Sequence, residues 1–304
     1  MNAAFVNSYE AVADTPPIAD CITEVPSKGR VENYPWIYPP PMMHQWKGYR
    51  QYAKLAETNY RVPNRTYTAE FECNLEDLDD DQLDGFRRQA ASMAKSAKEW
   101  KYIESLQNLA LGQTVKCFDD TFFFATSHNV GTGNNILTGT ASATDAVTHA
   151  MVILVMKNKM VKPLMWQNRD APDFQTDGGS IDSKKIRTVK WWADMRGAPA
   201  FGFWFDALLV KFANTPTVAD MQTTFGNVNA RLRGFTLPKN LLTDPNSYPH
   251  GQIEFSKETL SVVNSTLIDH IVRQALTLSL ISTTENPYVG FARQITTGYL
   301  DGVA

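Results

Sequence analysis

Between Tyr67 and Leu75 apolar and polar residues alternate strictly, with Tyr67, Ala69, Phe71, Cys73 and Leu75 on one side and Thr68, Glu70, Glu72 and Asn74 on the other. A period of two predicts a half-buried strand. Upstream, Val62-Pro63-Asn64-Arg65 has turn chemistry, and Tyr49–Tyr60 is long enough to run back along that strand, which predicts a long hairpin. Its aromatic residues, Trp46, Tyr49, Tyr52 and Tyr60, admit two readings: core, or contact anchors on a projecting arm. The period then changes. Leu83, Phe86, Ala90, Met93, Ala97, Trp100, Ile103, Leu106 and Ala110 recur at steps of three and four, which predicts a helix over 81–111, closed by Gly112. At 1.5 Å per residue it would be about 45 Å long, far beyond the usual globular helix. The acidic residues before it (Glu76, Asp77, Asp79, Asp80 and Asp81) are read as favouring and capping its positive end rather than as a chemical site.

Further along, Val115–Phe124 is strand-like, a turn-rich loop covers 131–142, and a helix is expected over Thr144–Val155. Pro163 opens a strand at Leu164-Met165-Trp166, and a polar loop is expected over Asp170–Lys185. Arg187–Met195 alternates again, with Val189, Trp191, Ala193 and Met195 on one side, and Ala200–Phe212 is densely apolar; both read as sheet. A helix starts at Pro216 or Thr217, carries Val218, Met221, Phe225, Val228 and Leu232 on one stripe, and ends at Gly234. After a loop with Pro238, Pro245 and Pro249 come a short strand at 253–255 and a helix capped by Ser256 with Leu260, Val263, Leu267, Ile271 and Ala275 on its stripe. A strand-like stretch, Tyr288–Tyr299, closes the pattern. Strands and helices in mixed order predict an α+β fold. Residues 1–41 carry seven prolines at Pro16, Pro17, Pro26, Pro35 and Pro39-Pro40-Pro41 and no apolar period, so they read as an arm, either disordered or ordered by a neighbouring subunit.

Composition narrows the function. The 304 residues are 43% hydrophobic and 20% charged, which excludes a chain disordered throughout. The balance of 29 basic and 32 acidic residues, a net charge of −3, offers no basic excess for phosphates or a membrane surface. Cys21, Cys73 and Cys117 stand far apart without a CxxC pair, which fits a reducing compartment. The longest apolar run, Met151–Met156, has six residues against the roughly 20 that span a bilayer, and Met1–Asp20 lacks the features of a secretory leader. Five histidines (His44, His128, His149, His250 and His270) show no HExxH or HxH spacing, and the Gly131-Thr-Gly133 pair lacks the third glycine of a dinucleotide loop. With no GxSxG elbow and no kinase or hydrolase signature either, catalytic, cofactor and metal residues are expected to be none.

Five local strings, in a fixed order, resemble one family, the major head subunit of phage Mu and its prophage relatives. They are Trp46-Lys-Gly48; Leu75-Glu-Asp-Leu-Asp-Asp80; Cys117-Phe-Asp-Asp-Thr-Phe-Phe-Phe-Ala-Thr-Ser-His128; Lys162-Pro-Leu-Met-Trp-Gln-Asn-Arg169 with Ala171-Pro172; and Arg196 with Phe201-Gly-Phe-Trp204 and Ala207. Asp119-Asp120 and His128-Asn129 stand where relatives often carry Asp-Gly and His-Pro, and Leu237–Gly251 has no clear match. The resemblance implies the Hong Kong 97 type of phage capsid fold. In that frame residues 1–41 are the N-terminal arm, 42–75 the projecting E-loop hairpin, 76–212 a peripheral domain with its spine helix at 81–111, 213–286 an axial domain, and 287–304 a strand returning to the body.

The function so implied is that of a major capsid protein assembling into an icosahedral head around the DNA of a tailed bacteriophage. Its partners would be copies of itself in hexamers and pentamers, separate scaffolding, portal and decoration proteins, and packaged double-stranded DNA held non-specifically, with no membrane. It would assemble in the bacterial cytoplasm and reside in the virion. Trp46, Lys47, Tyr49, Arg50, Tyr52 and Tyr60 are the candidate subunit contacts. No lysine–asparagine cross-link can be mapped and none is expected. The competing readings are an encapsulin-like cellular shell protein and a soluble cytosolic enzyme.

Overall fold

The computed structural model describes residues 2–11, 15–37, 48, 59–80, 85–156, 161–177, 187–236, 259–281 and 284–303. Two sheets organise the chain. The first has four strands, β1 (Ile22–Pro26), β4 (Arg65–Asn74), β7 (Leu164–Thr176) and β8 (Thr188–Phe201), in the order β1-β7-β8-β4. The second has five, β5 (Ile136–Thr138), β6 (His149–Val155), β9 (Ala207–Phe212), β10 (Leu260–Ser265) and β13 (Arg293–Thr297), in the order β13-β10-β6-β9-β5. Two short pairs complete the strands: β2 (Val31–Asn33) with β3 (Arg61–Pro63), and β11 (Leu280–Ile281) with β12 (Thr284–Glu285).

In the four-stranded sheet β8 is central and alternates as expected, burying Val189, Trp191, Ala193 and Met195. The first three of these pack with Phe174 and Cys73 against the long helix α3 (Gly85–Ala110), whose Ala90 and Ala94 are small enough to bring the helix axis close to the sheet. At 26 residues α3 runs about 39 Å. Its first turn carries no acidic residue; the acidic cluster instead begins a separate short helix, α2 (Leu75–Asp79), with Glu76 and Asp77 in the first turn. Residues 81–84 lie outside the described residues.

Several expectations are corrected. The alternating strand Tyr67–Leu75 is present as β4, which ends at Asn74 and pairs antiparallel with β8 from Arg65↔Gly197 to Asn74↔Thr188; residues 49–58 of the expected hairpin lie outside the described residues. The stretch from Asp170, expected as a loop to Lys185, begins as strand, and its residues 178–185 lie outside the described residues. It continues β7 to Thr176, and two register shifts around Asp170 absorb Arg169 and Ala171-Pro172, where a proline needs no ladder partner. The arm does not wait for a neighbour. Its helix α1 (Asn2–Ala11) seats Phe5 against Phe174 at 4.7 Å between ring centroids, β1 pairs parallel with β7, and Ile18, Cys21, Ile22, Tyr34 and Ile37 enter the chain's own core.

The five-stranded sheet overturns two predicted helices. His149–Val155 is a strand buried at all seven positions, and Leu260–Ser265 a strand buried at all six. Both runs are covered on two faces, so they carry no alternation, and their β-branched Val152, Ile153, Val262 and Val263 fit a pleated surface better than a helix turn. Helix α5 (Asp269–Thr277) starts only after the 3₁₀ turn Thr266–Ile268. Val115–Phe124 is a compact turn with one bridge, Lys116↔Phe122, and a positive φ of 63° at Asp120. The short strand predicted at 253–255 lies outside the described residues. The closing strand-like stretch, predicted over Tyr288–Tyr299, narrows to β13. Because β6 hydrogen-bonds to β9 on one side and β10 on the other, and β10 to β13, this sheet crosses the boundaries expected at 212/213 and 286/287.

Helix α4 (Val218–Gly234) follows its sequence closely. Thr217 caps it through a reciprocal box with Asp220, and Met221, Phe225, Val228 and Leu232 are buried. The Asp220 carboxylate also accepts from Ser142 N (2.9 Å) and Ser142 Oγ (2.6 Å), which ties the loop before β6 to the helix start. No helix among the described residues is long and apolar enough to cross a membrane.

Candidate functional site

Three of the five strings meet at the junction of the two sheets. Lys162-Pro-Leu and Phe201-Gly-Phe-Trp204 face one another in the β7–β8 ladder, with Leu164 opposite Phe201 and Gly202 N donating to the Pro163 carbonyl at 2.8 Å. A Cβ at Gly202 would collide with the backbone carbonyl of Lys162, so the approach requires glycine. Trp204, buried in the 3₁₀ turn Trp204–Asp206 between β8 and β9, brings in the third string. Its Nε1 donates to the Val130 carbonyl at 3.0 Å, the His128 ring lies parallel to it at 3.9 Å between centroids, and Phe235 closes edge-on at 5.4 Å.

Around His128 the turn folds onto the Asp119 carboxylate. One oxygen accepts from Cys117 Sγ (3.1 Å), Thr121 N (3.2 Å) and Thr121 Oγ1 (2.5 Å); the other accepts from Asn129 N (3.2 Å) and lies 3.1 Å from His128 Nδ1. Burial alone would raise the Asp119 carboxyl, but hydrogen bonds from His128, Thr121 and Cys117 outweigh it and hold the group well below the usual carboxylate range. The Cys117 thiol is pushed well above its ordinary value by burial and by the adjacent carboxylate, the reverse of what activates a nucleophilic thiolate. The donor atoms of Cys117, Asp119 and His128 lie within 4.8 Å of one another, yet each is already engaged in a hydrogen bond. The cluster is a closed polar knot inside an aromatic run. Sequence spacing concealed it, because Asp119 and His128 are nine positions apart; the signal that could have exposed it is the set of polar residues Asp119, Thr121 and His128 embedded among Phe118 and Phe122-Phe123-Phe124.

Of the six candidate contacts, Trp46, Lys47, Tyr49, Arg50 and Tyr52 lie outside the described residues. Tyr60 is placed, partly buried against the chain's own core. Its ring packs against the main core beside Tyr34, and its hydroxyl accepts from Phe201 N at 3.0 Å, so it is engaged within its own subunit. Burial pushes its hydroxyl far above the ordinary tyrosine value.

A solved structure of the bacteriophage JBD30 capsid matches with a TM-score of 0.74 at 17% identity, over 96% of this chain and 93% of that one. The fold is therefore the α+β, Hong Kong 97 type architecture of a phage capsid subunit. The family model of the Mu-like prophage major head subunit gpT matches residues 1–229, and the chain belongs to that family. The major capsid protein of Escherichia phage Mu is 27% identical over 195 residues, 62% of this chain and 64% of that protein. The Mu-like prophage FluMu major head subunit of Haemophilus influenzae is 24% identical over 197 residues, with the same coverage. The matches thus span slightly less than two thirds of the length of these two relatives.

Proposed function

We propose that the chain is a major capsid protein whose activity is self-assembly into the icosahedral head of a tailed phage. The observation that carries the reading is the capsid-subunit fold, matched over nearly the whole chain. Its shape supports it. A 26-residue helix and a sheet with strands of 13 and 14 residues are extended features that neighbouring copies can cover, and β4 presents most of its residues to the outside. Leu278, Leu280 and Val289, at the end formed by α5 and the β11–β12 pair, are exposed apolar side chains suited to contact between copies.

In this reading Trp46, Lys47, Tyr49, Arg50 and Tyr52 are contacts to an adjacent subunit, and a net charge of −3 suits a container that holds double-stranded DNA without trapping it. Assembly takes place in the bacterial cytoplasm with separate scaffolding, portal and decoration proteins. Size-exclusion chromatography and negative-stain microscopy of the expressed protein test the proposal. Shells or capsomers that dissociate in hot denaturant to a single band near 34 kDa are expected, whereas a monodisperse 34 kDa monomer at high concentration would overturn it.

A further inference from the structure

Beside the C-terminal half of α4 lies a cavity of about 400 Å³. Asn227, Ala230 and Arg231 line it from one face of the helix, and Leu137 of β5 and Phe235 supply an apolar wall. That wall is fixed to the helix end. Thr132 and Thr236 exchange backbone hydrogen bonds of 3.0 and 3.1 Å, and Gly133 lets its loop lie on Phe235, where a Cβ would come within 2.5 Å of the ring. Arg231 is half-buried, is the single charged side chain of the lining, and has no ion pair or side-chain hydrogen bond among the described residues. A guanidinium without an acid, set beside an apolar wall, suits a carboxylate carried next to an apolar side chain.

The same chain displays such a pair. In the β11–β12 ladder Leu280 stands directly opposite Glu285, so an exposed leucine and an exposed carboxylate project side by side. Among the described residues, two other exposed large apolar side chains have ladder partners, and these carry no carboxylate: Val31 faces Pro63 and Phe122 faces Lys116. Glu285 has no ion pair among the described residues. Asn286 fixes the base of this knob, its Nδ2 donating to the carbonyls of Ala275 (2.7 Å) and Leu278 (2.8 Å). Its Oδ1 accepts from Gln222 Nε2 at 3.3 Å, which ties the knob to the N-terminal half of α4, away from the cavity at the other end.

We propose, resting on the capsid reading, that the Leu280–Glu285 knob of one copy seats in the Arg231 cavity of the next, with Glu285 pairing with Arg231 and Leu280 covering Leu137 and Phe235. Knob and cavity are different surfaces of one chain, so the contact is head-to-tail, and repetition with a rotation closes a ring of copies.

Charge reversal in the full-length protein tests this, with assembly followed by size-exclusion chromatography and negative-stain microscopy. Arg231→Glu and Glu285→Arg should each raise the protein concentration needed for capsomers or shells about tenfold or more, and the double variant should recover assembly. Thermal melts of the unassembled variants should match the parent; a subunit destabilised by Arg231→Glu would place the guanidinium in its own fold and overturn the proposal. Gly234→Leu is an independent block at the cavity lining, because a Cβ there meets open space within the subunit. Single variants that assemble like the parent, or a double variant no better than the singles, would overturn the knob and leave the capsid reading standing. A parent protein that stays monomeric would overturn both.

Discussion

The two sheets solve different problems. In the five-stranded sheet β6 and β10 are buried along their whole lengths, and α4 and α5 add a further buried stripe. In the four-stranded sheet β4 buries only Cys73, and a separate small cluster under α3 and α1 holds the distal half together. The first is the interior of a protein that stands by itself. The second shares that interior only at one end, and along β4 most side chains are exposed. The two sheets share one core, in which Ile22, Leu164, Trp166 and Phe201 lie in the same cluster as β6, β9 and β10, and at the Trp204 junction the indole meets both the turn after α3 and Phe235 at the end of α4.

The largest effect is therefore expected at that junction. Trp204→Ala should destabilise the chain by about 3–5 kcal/mol in denaturant unfolding. A loss of less than about 1 kcal/mol would show that the junction carries little of the stability of the shared core. Next, Ile153→Ala in β6 should cost about 2–5 kcal/mol, while Phe71→Ala in β4, whose half-buried ring stacks on Trp191 at 5.1 Å, should cost the isolated subunit only about 1 kcal/mol. Equal losses would erase the contrast between the sheets. The smallest effect concerns Asp220, whose carboxyl lies below its ordinary value: burial raises it, and hydrogen bonds from Ser142 and Thr217 more than compensate. A depressed carboxylate contributes stability above the unfolded value of about 4 and loses it as the pH falls below that. Asp220→Asn should thus cost about 1 kcal/mol at pH 7, and in thermal melts the difference from the parent protein should shrink as the pH falls below about 4.

Where one face of an element is wet, the sequence was readable. The alternation of Val189, Trp191, Ala193 and Met195 located β8, and Thr217 followed by the Met221–Leu232 stripe located α4 and its cap. Where both faces are dry the period disappears, and Met151-Val-Ile-Leu154 reads as helix although it is strand. At Leu260, Val263 and Leu267 a helical spacing arose by coincidence across a strand and a 3₁₀ turn. The strings at 117–128, 162–169 and 201–204 were each visible, but their meeting was not. Contacts spanning from nine to more than seventy positions leave no local period, and only the packed junction brings Asp119, His128 and Trp204 into one place.

The parallel pairing of β1 with β7 also sets a timetable for synthesis. Ile22 pairs with Leu164, 142 positions later, so at about 5–20 residues per second roughly 7–30 s pass between making the two strands. For that interval Ile18, Ile22, Tyr34 and Ile37 have no sheet to enter. Pro16, Pro17, Pro26 and Pro35, which first mark this stretch as an arm, withhold backbone donors throughout the wait, so a nascent chain on a crowded ribosome is a poor template for its neighbours.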